Sequence, residues 1–138
     1  MNRFLARLAL AAFAAPVASA ASLELTIANV ETGDGTLMIA VFEGQDSWTG
    51  DTAAMGVTAD PETGRVSVTL DGLSPGEIGL KLFHDTDGDG NLDTGNFGIP
   101  SEPYGFSNDA PVRFGPLSWD KAKFVIIEGV NAHAVTLR

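Results

Sequence analysis

Arg65-Val66-Ser67-Val68-Thr69-Leu70, then Asp71-Gly72-Leu73-Ser74-Pro75-Gly76, then Glu77-Ile78-Gly79-Leu80-Lys81-Leu82 is the stretch that decides the fold class of this chain. In its first part Val66, Val68 and Leu70 point one way and polar residues the other, the period-two pattern of a strand with one wet face. The middle part is a turn cluster. In the last part Ile78, Leu80 and Leu82 form the inward set of a second strand, which delivers the chain into an aspartate-rich loop. Working outward, Leu23, Leu25 and Ile27 alternate with Glu24, Thr26 and Ala28. After a turn at Thr32-Gly33-Asp34-Gly35, the run Leu37 to Phe42 is apolar on both faces, which predicts a central strand paired to the first as a hairpin. Phe124 to Ile127 and His133 to Leu137 supply two more strands, and Met55 to Ala59 a weaker one. Helix is expected to be scarce, with one candidate turn over Ser118 to Ala122 capped by Ser118. Short strands separated by glycine- and proline-rich turns point to an all-β fold, an antiparallel β-sandwich of about seven strands.

Residues Met1 to Ala20 read as a secretory signal. Arg3 and Arg7 lead an apolar run from Leu8 to Val17, and Ala18-Ser19-Ala20 makes a small-x-small cleavage site. The apolar run is about half of the ~20 residues that a membrane-spanning helix needs, so no membrane span is expected. Residues 21–138 are then one β-sandwich domain, periplasmic or secreted. The chain has no cysteine, hence no disulfide and no lipid-bearing thiol, and its core has to carry the fold. Loss of Arg3 and Arg7 with the leader leaves 6 basic against 18 acidic residues, a net charge of −12. Such a surface repels nucleic acid and anionic lipid, and nucleic acid is not an expected partner.

Asp85-Thr86-Asp87-Gly88-Asp89-Gly90-Asn91-Leu92-Asp93 places four carboxylates in nine residues. Neighbouring carboxylates about 6 Å apart repel by roughly 0.7 kcal/mol even in water, so a cation is the natural counter-charge. Against the helix-loop-helix calcium template, Asp85, Asp87 and Asp89 stand at positions 1, 3 and 5, and Gly90 at the turn. Asn91 stands at the backbone-carbonyl position, Leu92 at the apolar anchor and Asp93 at position 9. Asn96 stands where the template has a bidentate glutamate, and the flanks read as strand and loop instead of helices. Calcium is therefore the expected metal, held by Asp85, Asp87, Asp89, Asn91 and Asp93. The missing glutamate predicts weak affinity, in the range of about 10⁻⁴ to 10⁻³ M, unless another residue such as Glu102 closes the shell. The competing reading is a solvated turn, since aspartate, asparagine and glycine all favour turns.

From His84 onward the chain runs HDTDGDGNLDTGNFGIPSEPYGFSNDA and then GPLSWDKAKF. This strongly resembles the signature of the DUF2141 family of exported bacterial proteins. The resemblance lies in His84-Asp85, Gly90 to Asp93, Phe97 to Pro100, Glu102, Tyr104 to Asn108 and Lys121 to Phe124. It implies no catalytic residue, because the family has no established activity. The Gly72 to Gly76 turn is also similar to that of transthyretin-like and carboxypeptidase-regulatory-like sandwiches. The resemblances thus imply an Ig-like/transthyretin-like form of the sandwich.

Other chemistry has little support in the residues. No serine sits in a nucleophile elbow, and there is no phosphate-cradling glycine loop, zinc-ligand spacing or dinucleotide fingerprint. Glu102 with Asp85 or Asp93 would make a glycosidase pair only at a carboxylate separation of about 5 to 9 Å. His84, on the parity of Leu80 and Leu82, is expected to bond loop backbone instead of metal, and His133 to lie in the core or at the sheet rim. Phe97, Tyr104 and Phe106 with Pro100 and Pro103 are expected to pack over the end of the sandwich. The functional expectation is a non-enzymatic protein whose Asp-rich loop binds calcium for stability or interaction, with a glycan or protein at the cell envelope as partner. The alternative is a calcium-assisted carbohydrate-binding module that uses Tyr104 or Trp48 as a stacking platform.

Overall fold

The structure, a computed structural model, describes residues 20–138, so the signal sequence expected up to Ala20 lies outside the described residues apart from Ala20 itself. Two sheets form the protein. In the first, β1 (Ala21–Val30) lies between β4 (Gly64–Leu73) and β8 (Gly129–Thr136). In the second, β3 (Met55–Ala59), β2 (Thr36–Phe42) and β5 (Gly76–Asp85) run side by side. Beyond β5, two short strands share one edge. β6 (Tyr104–Phe106) pairs with Lys81 to Phe83, and β7 (Phe124–Ile126) pairs with Gly76 to Ile78. Between them the backbone N–H of Leu80 donates instead to the Ser107 hydroxyl, at 3.0 Å.

The period-two apolar sets meet as one core between the sheets. Leu23, Leu25 and Ile27 of β1 and Leu70 of β4 are buried with Leu37, Ile39 and Val41 of β2 and Ile78, Leu80 and Leu82 of β5. Full burial of each such side chain is worth about 1.5–3 kcal/mol, and without disulfides this burial is the main stabilising term. A smaller second core lies on the outer side of the five-stranded sheet. There Phe42 and the tryptophans of α1 (Gln45–Thr49) and α2 (Trp119–Ala122) pack together with Ala110, Leu117 and Ala122. Gly79 makes this contact possible, since a Cβ there would lie 2.8 Å from Trp119 Cζ3 and 3.1 Å from Trp48 Cζ3.

Several expectations are corrected. β1 and β2 are not a hairpin, because each belongs to a different sheet. Both edges of β1 are taken by β4 and β8, and the five residues from Glu31 to Gly35 can reach across the ~10 Å between stacked sheets. The β1–β8 ladder is parallel, whereas the other ladders are antiparallel. A parallel neighbour needs a long connection, and here nearly the whole chain between the two strands supplies it. Among the described residues there are eight strands, in keeping with the about seven expected; β6, three residues with Gly105 in the middle, carries too little β signal to stand out in sequence. Helix α1 was not expected. At Ser118 the backbone caps α2, but the hydroxyl makes no capping bond. His133 is half-buried at the rim, stacked on Phe124 at 3.8 Å, and burial holds its imidazole below the ordinary histidine pKa, partly opposed by the Asp109 charge.

Candidate metal centre

The last residue of β5 is Asp85, and the backbone turns immediately beyond it. Asp85 is buried, and its two carboxylate oxygens accept bonds from the N–H groups of Gly88 (3.0 Å) and Gly90 (2.8 Å). The path needs left-handed residues, and Gly88 and Gly90 supply them at φ +76° and +80° without a Cβ penalty. Each following aspartate repeats the device on a smaller scale. Asp87 Oδ1 accepts from Asp89 N at 3.1 Å, and Asp89 Oδ1 accepts from Asn91 N at 2.8 Å. The carboxylates are thereby steered by backbone donors and do not extend freely into water.

Beyond Asp93 the chain makes a short arm. Thr94 bridges Pro100, Gly95 N donates to the Ile99 carbonyl at 2.7 Å, and Ser101 N donates to the Asp93 carbonyl at 2.8 Å. This arm returns Glu102 to the loop. Glu102 is only 6% exposed. Its Oε1 accepts from the N–H and hydroxyl of Thr86, and its Oε2 from the N–H of Asp93 at 3.0 Å. A carboxylate so tied closes the loop onto the arm.

Two groups of carboxylate oxygens result, each with its members within 4.8 Å of one another. Asp85, Asp87 and Asp89 form one, and Asp87, Asp93 and Glu102 the other, so Asp87 is common to both. Their electrostatics differ. At Asp85 burial pushes the carboxyl up, but the N–H groups of Gly90, Gly88 and Asp89 and the Asp87 side chain outweigh it and hold it below the ordinary carboxylate value. Asp93 is pushed up to about 7, first by a hydrogen bond shared with Asp87, then by burial and by the charges of Asp87, Asp89 and Glu102. A cation among these oxygens would offset the charge repulsion that raises Asp93.

Of the five residues expected at the site, Asp85, Asp87, Asp89 and Asp93 belong to these two groups. The Asn91 side chain turns back to the Asp89 carbonyl at 3.3 Å. The structure brings Glu102, not Asn96, beside Asp87 and Asp93. Thr86, which anchors Glu102, carries no signal in the calcium spacing. His84 is fully buried, and its Nε2 lies 2.6 Å from the Asp34 carbonyl, which fixes that nitrogen as the donor and ties β5 to the turn after β1. Phe97 does not pack over the sandwich. It is 100% exposed at the tip of the arm, in a left-handed conformation at φ +65°. Trp48 is only 5% exposed and donates from its indole to the Leu117 carbonyl at 2.8 Å, so it offers no platform to a sugar ring.

A family model described as an uncharacterized protein conserved in bacteria (DUF2141) matches residues 25–134, which include most of both sheets and the whole acidic loop. The chain belongs to the DUF2141 family. In this DUF2141 protein the matched region begins at Leu25 and ends at Ala134, so the first residues of β1 and the last of β8 lie just beyond it. No curated protein and no solved structure matches the chain. Among the described residues no helix is long and apolar enough to cross a membrane.

Proposed function

We propose that this DUF2141 protein is an exported, non-enzymatic β-sandwich of the periplasm or the secreted fraction, whose acidic loop binds calcium. The observation that carries this reading is the convergence of carboxylate oxygens from Asp85, Asp87 and Asp89, and from Asp87, Asp93 and Glu102, within 4.8 Å. Calcium takes six to eight oxygens at about 2.3–2.6 Å, and carboxylates already steered by backbone donors lose little freedom on binding. In this reading Asp85, Asp87, Asp89 and Asp93 supply the charge, and Asn91 supplies its backbone carbonyl. Glu102 takes the role of the template's last glutamate from a distant position in sequence.

The ion would join the end of β5 to the arm from Thr94 to Pro100 and so order one corner of the sandwich. At free calcium ten times the dissociation constant, binding adds about 1.4 kcal/mol of stability. For a domain of this size that is a rise of about 5 °C in melting temperature. Calorimetric titration of the purified protein with calcium tests the reading, beside Asp87→Ala and Asp89→Ala. Heat that saturates in the unaltered protein and weakens at least roughly tenfold in Asp87→Ala supports it, because Asp87 serves both oxygen groups. Identical flat traces for all three proteins would overturn it.

A further inference from the structure

The two sheets differ on the faces they turn away from the core. On the three-stranded sheet that face carries the polar Glu24, Arg65, Ser67 and Thr69 on β1 and β4, with the small apolar Val130, Ala132 and Ala134 along β8. On the five-stranded sheet it carries Met38 and Ala40 from β2, Phe83 from β5, and Tyr104 and Phe106 from β6, all half-buried. The small second core covers only one end of this face. The rest is a groove of about 590 Å³, bounded by Leu92 and Pro100 of the acidic loop and arm. That volume falls within the range of about 300–1,000 Å³ common for small-molecule sites.

Among the described residues, one cation lines the groove. Lys81 lies on the outward side of β5, and its Nζ is 4.5 Å from the centre of the Phe42 ring and 4.6 Å from that of Trp48. The two rings hold the ammonium at the covered end of the groove. Its acidic partner is Asp51, 2.7 Å away, whose side chain is 78% exposed at the rim. An ion pair with one partner so exposed contributes little to stability, so a second carboxylate can take or share the place at small cost. An apolar trough with a fixed ammonium at one end matches a molecule with a long apolar body and one anionic head. A sugar is a poorer match, since few side chains along the trough can bond its hydroxyls.

We propose that the outer face of the five-stranded sheet binds a fatty acid, with the acyl chain over Met38, Phe83 and Tyr104 and the carboxylate on Lys81. The chain lies along a surface that is otherwise an exposed apolar patch, and Met38 adapts to its bends. Head and body are recognised separately. This site does not depend on the calcium reading, because none of the groups that define it is a carboxylate of the acidic loop.

The test uses purified protein in chelator, so that the acidic loop is metal-free and no calcium soap forms. Dodecanoate is titrated below its micellar concentration, with binding read by calorimetry and by the fluorescence of Trp48, which packs beside Lys81, and of Trp119, which packs on Trp48. Saturable one-to-one binding is expected. It should weaken by roughly two- to fourfold for each methylene removed from the ligand. Dodecanol and dodecyltrimethylammonium should bind at least tenfold more weakly, and Lys81→Met should erase the preference for the acid over the alcohol. Thr58→Trp, on an exposed β3 position that lines the groove, should abolish binding while leaving the melting temperature unchanged. The proposal is overturned if dodecanoate does not saturate, if the alcohol binds as well to the unaltered protein, or if Thr58→Trp binds normally. A dimer that Thr58→Trp dissociates would assign the face to a second copy and would also overturn it.

Discussion

At the scale of single residues, the side chains that matter most are those that satisfy a backbone group no strand can reach. Ser107 is fully buried, accepts from the N–H of Leu80 and donates to the carbonyl of Ala122. It fills the gap that β6 and β7 leave on the edge of β5, and it ties α2 to that strand. Ser107→Ala should cost about 1–3 kcal/mol, because two buried backbone groups lose their partner at once. A denaturant midpoint equal to that of the unaltered protein would count against this role. Phe97 is the opposite case. Fully exposed at φ +65°, it pays for a left-handed backbone and buries nothing. Phe97→Gly should therefore raise stability by up to about 1 kcal/mol, visible as a higher melting temperature. In the sequence, Ser107 is one serine among many and Phe97 one aromatic of a motif. Neither has a local pattern that reveals its burial, which depends on what the arm and α2 pack against.

At the scale of the element, the acidic loop is held by hydrogen bonds in which charge is unevenly stabilised. Asp93 is raised from 3.8 to about 7, so the metal-free fold prefers it protonated. Its contribution is fully present below pH about 4 and is lost as pH rises through about 7. Asp85 is lowered, so its contribution is present above its unfolded value of 3.8 and disappears as pH falls through its folded value. Metal-free protein should therefore be more stable at pH 5 than at pH 8, as read by chemical denaturation in chelator. Millimolar calcium should reduce or reverse that difference, because the ion takes the place of the proton. A pH dependence that calcium leaves untouched would mean that these carboxylates do not hold the ion. The loop itself was legible, because alternating aspartates with glycines at fixed intervals are a local pattern. The contribution of Glu102 was legible only as a possibility, since the Thr94–Pro100 arm that returns it has no spacing rule.

At the scale of the whole molecule, the C-terminal strand joins the two sheets. Val135 and Leu137 are buried in the shared core, and Leu137 N donates to the Ala28 carbonyl of β1. One residue later Arg138 exchanges backbone bonds with Tyr104 of β6 in the other sheet. Leu137→Ala should thus cost about 2–5 kcal/mol and lower both sheets together. Far-ultraviolet dichroism and tryptophan fluorescence should report one coincident transition, whereas separate midpoints would show that the sheets melt independently. The amino-acid sequence alone determined the all-β class, the positions of most strands, their buried sides and the acidic loop. Each of these follows from the alternation of side chains along an extended backbone or from turn chemistry within a few residues. The tertiary structure decided which strand lies beside which, the parallel β1–β8 pair, the closing of the loop by Glu102 and the apolar groove on the outer sheet. Strand edges offer nearly the same backbone hydrogen bonds to any partner, so the choice falls to packing between residues far apart in the chain.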